Sequence, residues 1–447
     1  MTFVTFLGMV GIKRENGAYL ADERGEKAAY LFNPSLVHAL SLQKEPYIYE
    51  NMLPLLLEAF PEARVVAVGT PQSIEGQSAL LRARYSETAG RVEYLAIDDA
   101  HDYHAIFRQL GDVLESDGEF VVDISHSFRH LPALMMVDMI IANIKHPGRV
   151  RHILFAKELE AGRRYRIVDL REYLTLANVS YALASFTKNY TLATTVKTVD
   201  EVYQALLNDL TSFGEHMLAN SFEALLTAEG ENPPVARKIL DVIGVVKNHE
   251  RFKEVIHPIE PYLDEIAEHM RQVLAQAERP MDERLHFFAR LMFDKGYLLN
   301  ALTLLDEAAA AYCVEGFGKN PGTAEAVRAF EAAIQNRDNP RLYNRYELTN
   351  IAKNIVKIGR NYQKNLYRQE DAAIMEAFVE KAKAYVNRHY WKLKELRDFL
   401  YDCDETRNNL AHANSAERLE KVRHAIQALF IRYEEVCYEN DPLHRFR

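Results

Sequence analysis

Two short stretches of the chain gather side chains able to do chemistry. The first is Asp123-Ile124-Ser125-His126-Ser127-Phe128-Arg129, within FVVDISHSFRHLP, Phe120 to Pro132. A strand-like run here enters a segment of hydroxyls, imidazoles and a guanidinium. Three readings fit that composition. The serines cap a helix and the histidines are satisfied locally. Alternatively the stretch cradles an anion, because a helix N-terminus offers free N–H groups and partial positive charge. Pro132 must then lie in or before the first turn. Catalysis by a Ser/His pair is the third reading, but Ser125 lacks the G-x-S-x-G glycines of a strained nucleophile turn.

The second stretch is Glu405-Thr406-Arg407-Asn408-Asn409-Leu410-Ala411-His412-Ala413-Asn414. Cleaving RNA without a metal takes an acid or base that titrates near neutrality. It also takes a cation where charge develops on phosphorus oxygens; histidine and arginine supply these roles. Asn408 could orient the phosphate or the imidazole. Spacing alone carries little weight, since Arg251/His257, Arg279/His286 and Arg418/His424 are similarly placed. The capping-box pattern Asn414-Ser415-Ala416-Glu417 sets Arg407/His412 just before a new helix. The helical stretch 371–400 precedes the pair, which puts it at a junction between helices. The alternative is a surface arginine beside a structural histidine.

Basic residues concentrate upstream of that pair. Arg341 to Lys394 holds twelve Lys/Arg against five Asp/Glu, a local 12 − 5 = +7 in a chain of net charge −10. Lys353, Lys357, Arg360, Lys364 and Arg368 step by 4, 3, 4 and 4, one stripe if the segment is a helix. Tyr343, Tyr346, Tyr362 and Tyr367 are interleaved with them. Such a surface suits single-stranded nucleic acid, by phosphate contact and base stacking. A merely solvated helix face has the same pattern.

The elements that must position these groups differ between the two halves. Runs 2–8, 63–70, 91–98, 119–125, 149–158 and 165–170 are β-branched and apolar, with amphipathic segments between most of them. This predicts a parallel sheet covered on both faces, with 149–170 an antiparallel hairpin on its edge. Ligands bind such sheets at the strands' carboxyl ends. Besides the opening stretch, Gly8-Met9-Val10-Gly11 and Gly69-Thr70-Pro71-Gln72-Ser73 fall there. Gly8 and Gly11 do not complete a G-x-G-x-x-G, and no G-x-x-x-x-G-K-[ST] occurs. From about Arg171 onward 3.6-residue periodicity takes over, predicting helices over 199–227, 234–248, 260–277, 284–314, 323–336, 345–367, 371–400 and 415–438. The fold class expected is α/β plus all-α: a Rossmann-like domain over 1–170, then an all-helical region over 171–447.

Composition narrows the setting. No apolar run approaches the ~20 residues of a membrane helix, and no charged segment precedes an apolar core at the N-terminus. Cys313, Cys403 and Cys437 are far apart and lack metal spacing, which fits a reducing cytoplasm.

With these residues in view, the chain resembles the CRISPR-associated CARF–HEPN ribonucleases of type III systems, in the branch named for a D-x-T-H-G motif. Asp123-Ile124-Ser125-His126-Ser127 stands at that motif, with serine in place of both threonine and glycine. Arg407-Asn408…His412 matches the HEPN signature, and the order of TFVTFLG, VVAVGT and the helical tail also agrees. The resemblance implies a prokaryotic cytoplasmic endoribonuclease of antiviral defence. Its CARF domain binds cyclic oligoadenylate, the tetra-adenylate favoured over the hexa-adenylate, through Gly8, Met9, Gly69, Thr70, Ser125, His126, Ser127 and Arg129. Its HEPN domain pairs with that of a second copy, as a homodimer or higher homo-oligomer, and cuts single-stranded RNA. It needs no metal, and no cofactor beyond the allosteric activator. His412 is then the acid/base, Arg407 holds the scissile phosphate, Asn408 positions, and Lys353, Lys357, Arg360, Lys364 and Arg368 bind RNA. Slow activator cleavage (ring nuclease activity) is compatible with this picture. The rivals are a non-enzymatic cyclic-nucleotide sensor whose helical domain binds a partner or nucleic acid, and a constitutive HEPN toxin.

Overall fold

The structure, a computed structural model, describes residues 1–22, 26–42, 47–97, 102–115, 118–126, 130–192, 200–248, 256–335, 345–363, 372–412 and 418–443. Among the described residues ten strands are formed: β1 Thr2–Phe6, β2 Ile12–Glu15, β3 Ala18–Ala21, β4 Ala28–Leu31, β5 Tyr47–Tyr49, β6 Arg64–Gly69, β7 Val92–Ala96, β8 Phe120–Asp123, β9 Val150–Glu160 and β10 Arg164–Asp169. Eight of them make one mostly parallel sheet in the order β5-β4-β10-β9-β8-β1-β6-β7. β1 runs parallel to β6 on one side and to β8 on the other. Both faces of these strands are buried, so they read as unbroken apolar runs. Phe3, Val65 and Val121 point into one core with Leu55 and Leu56. Their neighbours Val4, Val66 and Val122 point into the other, against Leu110, Leu131 and Met135.

The expected hairpin at 149–170 is present as β9–β10. It does not end the sheet, because β4 pairs parallel with β10 and β5 pairs with β4. These two strands are four and three residues long, too short to show a period in the sequence. The hairpin β2–β3 stands apart as a two-stranded sheet and lies against the helix Pro71–Arg84.

The chain divides into two compact units. One comprises Met1–Thr187, Thr191–Leu210 and Asp241–Ile266; the other comprises Lys188–Tyr190, Thr211–Leu240 and Ala267–Arg447. The sheet's unit therefore extends past residue 170 into helices that follow it. Among the described residues no helix is long and apolar enough to cross a membrane.

The second unit is built around the helix Leu298–Lys319, which is buried on nearly every side. Helices Met281–Asp294, Ala324–Gln335, Arg345–Ile358, Lys394–Ala411 and Leu419–Tyr433 surround it. Predicted helix 199–227 divides into Glu201–Leu218 and Glu223–Leu226, and three others are shorter or divided. Gly296, at φ +87°, ends one helix before Leu298 and splits the stretch 284–314. Gly359, at φ +64°, stops the helix Arg345–Ile358 well short of residue 367. Both adopt the left-handed conformation that glycine takes without steric cost after a helix. The third, 371–400, resolves into Ala372–Arg388 and Lys394–Ala411.

Backbone approach in this unit is close at Gly214, where an added Cβ would lie 2.1 Å from the Tyr190 carbonyl oxygen. Neither backbone can yield cheaply. Gly214→Ala is expected to lower stability by about 1–3 kcal/mol, read as a lower urea midpoint by circular dichroism.

Candidate functional site

The carboxyl ends of β8, β1 and β6 are neighbours and bring three loops side by side. β6 and β7 extend the sheet on one side of β1, while β8 and β9 extend it on the other. The crevice between β1 and β8 is therefore the switch point where open sheets take ligands. Gly8 and His126 meet there: a Cβ on Gly8 would sit 3.1 Å from the His126 carbonyl oxygen. Gln77, from helix Pro71–Arg84, fixes the Gly8–Gly11 loop by donating to the carbonyls of Gly8 at 2.9 Å and Val10 at 3.1 Å. Asn51 completes this clamp, donating to Gln77 Oε1 at 3.0 Å. Met9 is left exposed on the loop.

The hydroxyls expected to bind an anion are used inside the fold instead. Thr70 Oγ1 caps the helix that follows by accepting from the Ser73 N–H at 3.3 Å. Ser125 Oγ donates to Asp123 at 2.5 Å and accepts from the Ala156 N–H at 2.9 Å, fastening β8's end to β9. Gly69 serves packing, since a Cβ there would lie 2.4 Å from Ser73 Oγ and 2.9 Å from Leu7 Cβ. Ser127 and Arg129 lie outside the described residues.

His126 is different. Its Nε2 meets the Tyr30 hydroxyl at 3.0 Å, and the Tyr165 ring stands edge-on to it, centroids 5.5 Å apart. Tyr30 in turn stacks on Tyr165 at 5.3 Å. Burial pushes the imidazole below its ordinary pKa, against the pull of Asp123. Asp123 is itself buried, which raises its carboxyl despite donors from Ser125 and Thr5. The crevice thus presents a neutral imidazole held by the buried Tyr30, with the half-buried Tyr165 ring beside it. Neither tyrosine was legible as a site residue, because each becomes a neighbour of His126 only through the pairing of β4 with β10 and of β10 with β9.

The second candidate site is built by three helices of the second unit. Asp306, on the central helix, is buried and accepts from Lys353 Nζ through both oxygens, at 2.9 and 2.7 Å. Arg407 Nη1 also donates to Asp306. Lys353 reaches Asp404 at 3.2 Å, Lys357 donates to the same carboxylate, and Arg407 Nη2 lies 3.6 Å from it. Three cations thus meet two carboxylates, leaving one surplus positive charge among these five groups. Burial works against the charge of Asp404, yet the lysine bonds hold its carboxyl below the ordinary range.

Arg407 and Asn408 lie within the helix Lys394–Ala411 and His412 is its C-cap. This corrects the expected placement in a connection between helices. The capping-box residues Asn414-Ser415-Ala416-Glu417 lie outside the described residues. Asn408 is exposed, accepts from Arg407 Nη2 at 3.2 Å through Oδ1, and its carbonyl accepts the His412 N–H at 3.0 Å. Asn408 and His412, four apart, share a helix face; Arg407 and His412, five apart, are turned about 140° from one another.

The basic stripe is not one exposed helix face. Lys353 is buried in the ion cluster, and Lys357 pairs with Asp404 and lies over the Tyr401 ring at 4.7 Å. Neither is displayed for RNA in this arrangement. Helix geometry places Lys353, Lys357 and the turn ahead of Arg360 on one side, but that side faces Asp306 and Asp404. Arg360, beyond the helix end, is exposed, and Lys364 and Arg368 lie outside the described residues. Asp306 carried no signal in the sequence, sitting in an alanine-rich apolar run.

No protein-family model matches this chain. No curated protein matches it either.

The ion cluster makes a direct test of these positions. Lys353→Met leaves Asp306 buried with Arg407 alone and is expected to cost about 3–5 kcal/mol in chemical unfolding. Asp404's stabilisation is present above its unfolded pKa of about 4 and lost as pH falls below it, so acid melts should lose that increment in Asp404→Asn.

Proposed function

We propose that the chain is a ligand-gated endoribonuclease of the CARF–HEPN kind, acting in type III CRISPR antiviral defence. The observation that carries this reading is the placement of Arg407, Asn408 and His412 within the last turn and a half of one helix, with the guanidinium fixed by a buried carboxylate. A guanidinium has five N–H donors. Those on Asp306 and Asn408 orient it, and the rest would meet a phosphate.

In the proposed reaction the RNA 2′-oxygen bonds to its own phosphorus as the P–O5′ bond breaks. One imidazole takes the 2′-proton and one gives a proton to the departing 5′-oxygen, leaving a 2′,3′-cyclic phosphate. Histidine suits such transfers, and arginine offsets the charge that builds on the non-bridging oxygens. Because Arg407 and His412 diverge around their helix, a second copy of the chain is the natural source of the complementary imidazole or guanidinium. That supports a homodimeric composite site. The crevice at Gly8 and His126 would take the adenylate ring, with the Tyr165 ring beside it, and tetra-adenylate as the favoured size.

One observation favours a second reading. Arg407 is committed to Asp306 and Asp404, which a purely structural arginine would also be. The helical unit would then bind a partner or nucleic acid without cutting.

A single-stranded RNA cleavage assay in EDTA, with and without cyclic tetra- or hexa-adenylate, separates the two. Wild type is expected to cut only with activator. His412→Ala should lose about 10²–10⁴-fold in rate while still binding activator. Intact RNA in wild type with activator bound would establish the non-enzymatic reading; undiminished cutting by His412→Ala would remove the site assignment.

A further inference from the structure

A separate cavity of about 560 Å³ opens in the second unit, lined by residues of three elements. Asp282 and His286 come from helix Met281–Asp294, Tyr312, Glu315 and Lys319 from the central helix, and Cys437 and Tyr438 from the π-helix Glu434–Asn440. π-helical turns recur at functional sites. The volume falls in the range of small-molecule pockets.

Asp282 is 5 % exposed, and its Oδ1 is buried with no donor on it. Its carboxyl lies within hydrogen-bonding reach of Glu315 and is pushed up to about 7, first by burial and then by that neighbour. Two acceptor groups face each other, so something must supply a donor. A shared proton would do so, and so would a ligand N–H. Around them four acids, Asp282, Glu283, Glu315 and Asp441, are offset by two bases, Arg279 and Lys319, a balance of 2 − 4 = −2. Arg279 pairs with Glu283 at 3.4 Å and Lys319 with Glu315 at 3.6 Å. Among the described residues no donor reaches Asp282 Oδ1. Asp441 accepts from the Tyr312 hydroxyl at 2.8 Å.

The wall beside Asp282 is aromatic, with Glu434 3.5 Å from His286 Nε2. Burial pushes His286 down to about 4, so it stands neutral, edge-on to Tyr438 at 5.5 Å. The buried Cys437 thiol is pushed well above its ordinary value by burial. Aromatic faces attract ammonium groups. Among the described residues no three His, Cys, Asp or Glu side chains are placed to hold a metal ion. The fitting occupant is therefore an organic cation.

From this arrangement we infer that the cavity at Asp282 and Glu315 binds a small organic diammonium, one nitrogen donating to the carboxyl pair. This stands independently of the nuclease reading. Occupancy replaces the shared proton by an N–H donor, so binding releases a proton to buffer near neutrality.

The test is titration calorimetry on the full chain without RNA, in two buffers of different ionisation enthalpy. The probe is 1,5-diaminopentane and the control 1,5-pentanediol. Saturable diamine binding with proton release, no binding of the diol, and affinity lowered about tenfold or more in Asp282→Asn is the expected result. Glu315→Gln, at a less buried position, should weaken binding likewise if Asp282→Asn does not fold. No binding heat with wild type at millimolar diamine, equal binding of the diol, or undiminished affinity in the folded variants would overturn the assignment.

Discussion

The second unit depends on one buried carboxylate. Asp306 sits in the leucine- and alanine-rich middle of its helix, where removing a charge from water costs several kcal/mol unless it is paired. Lys353 and Arg407 meet that need from two different helices. The consequence is positional rather than energetic. Helices Arg345–Ile358 and Lys394–Ala411 cannot shift in register against the central helix without stranding the charge. Packing of leucines alone would tolerate such a shift more readily, because apolar contact is non-directional. The guanidinium of Arg407 therefore has a fixed origin, and Asn408 and His412 inherit it through one turn of helix.

At the crevice the sheet positions its loops chiefly through neutral groups, beside one ion pair of the buried Glu50 with Arg84 against Gly11. Gln77 and Asn51 hold the first loop through carbonyls, and Ser125 holds the third through Asp123 and the Ala156 amide. These are neutral or singly charged bonds, each worth about 1 kcal/mol net, but each would leave a buried group unsatisfied if broken. Rigid loops leave His126 little freedom. Its ring stands edge-on to Tyr30 and Tyr165 and bonds the Tyr30 hydroxyl.

How much of this was legible follows from physical range. Strand runs such as RVVAVG and FVVD announce themselves because both faces are buried, and the hairpin at Gly162 shows local turn chemistry. β4 and β5 were missed because four and three residues cannot display a period; the sheet's order recruits them. Helix ends at Gly296 and Gly359 were hidden because apolar spacing continues across the break. The types in the Arg407 site were visible, while its anchor was not: Asp306 stands 101 residues away. Likewise the steps of Lys353 and Lys357 were read correctly as one face. Which way that face points is decided by Asp306 and Asp404, through tertiary contact rather than spacing.

Comparing the two polar clusters on the central helix sharpens the difference between a finished structure and a site. Asp306 and Glu315 are nine residues apart on that helix, about 13.5 Å along its axis and on opposite sides. At Asp306 every oxygen accepts from a lysine or arginine, and the surplus charge is positive, next to the exposed Asn408 and His412. At Glu315 the surplus is negative, Lys319 is at the edge, and Asp282 keeps an oxygen that no donor reaches. Burial of that second pair stabilises nothing by itself: it raises a carboxyl and leaves an acceptor empty. A fold that satisfied Asp306 so fully had the means to place one more lysine beside Asp282. That it places a cavity there instead, walled by aromatic groups, is the argument for an occupant that brings its own positive charge.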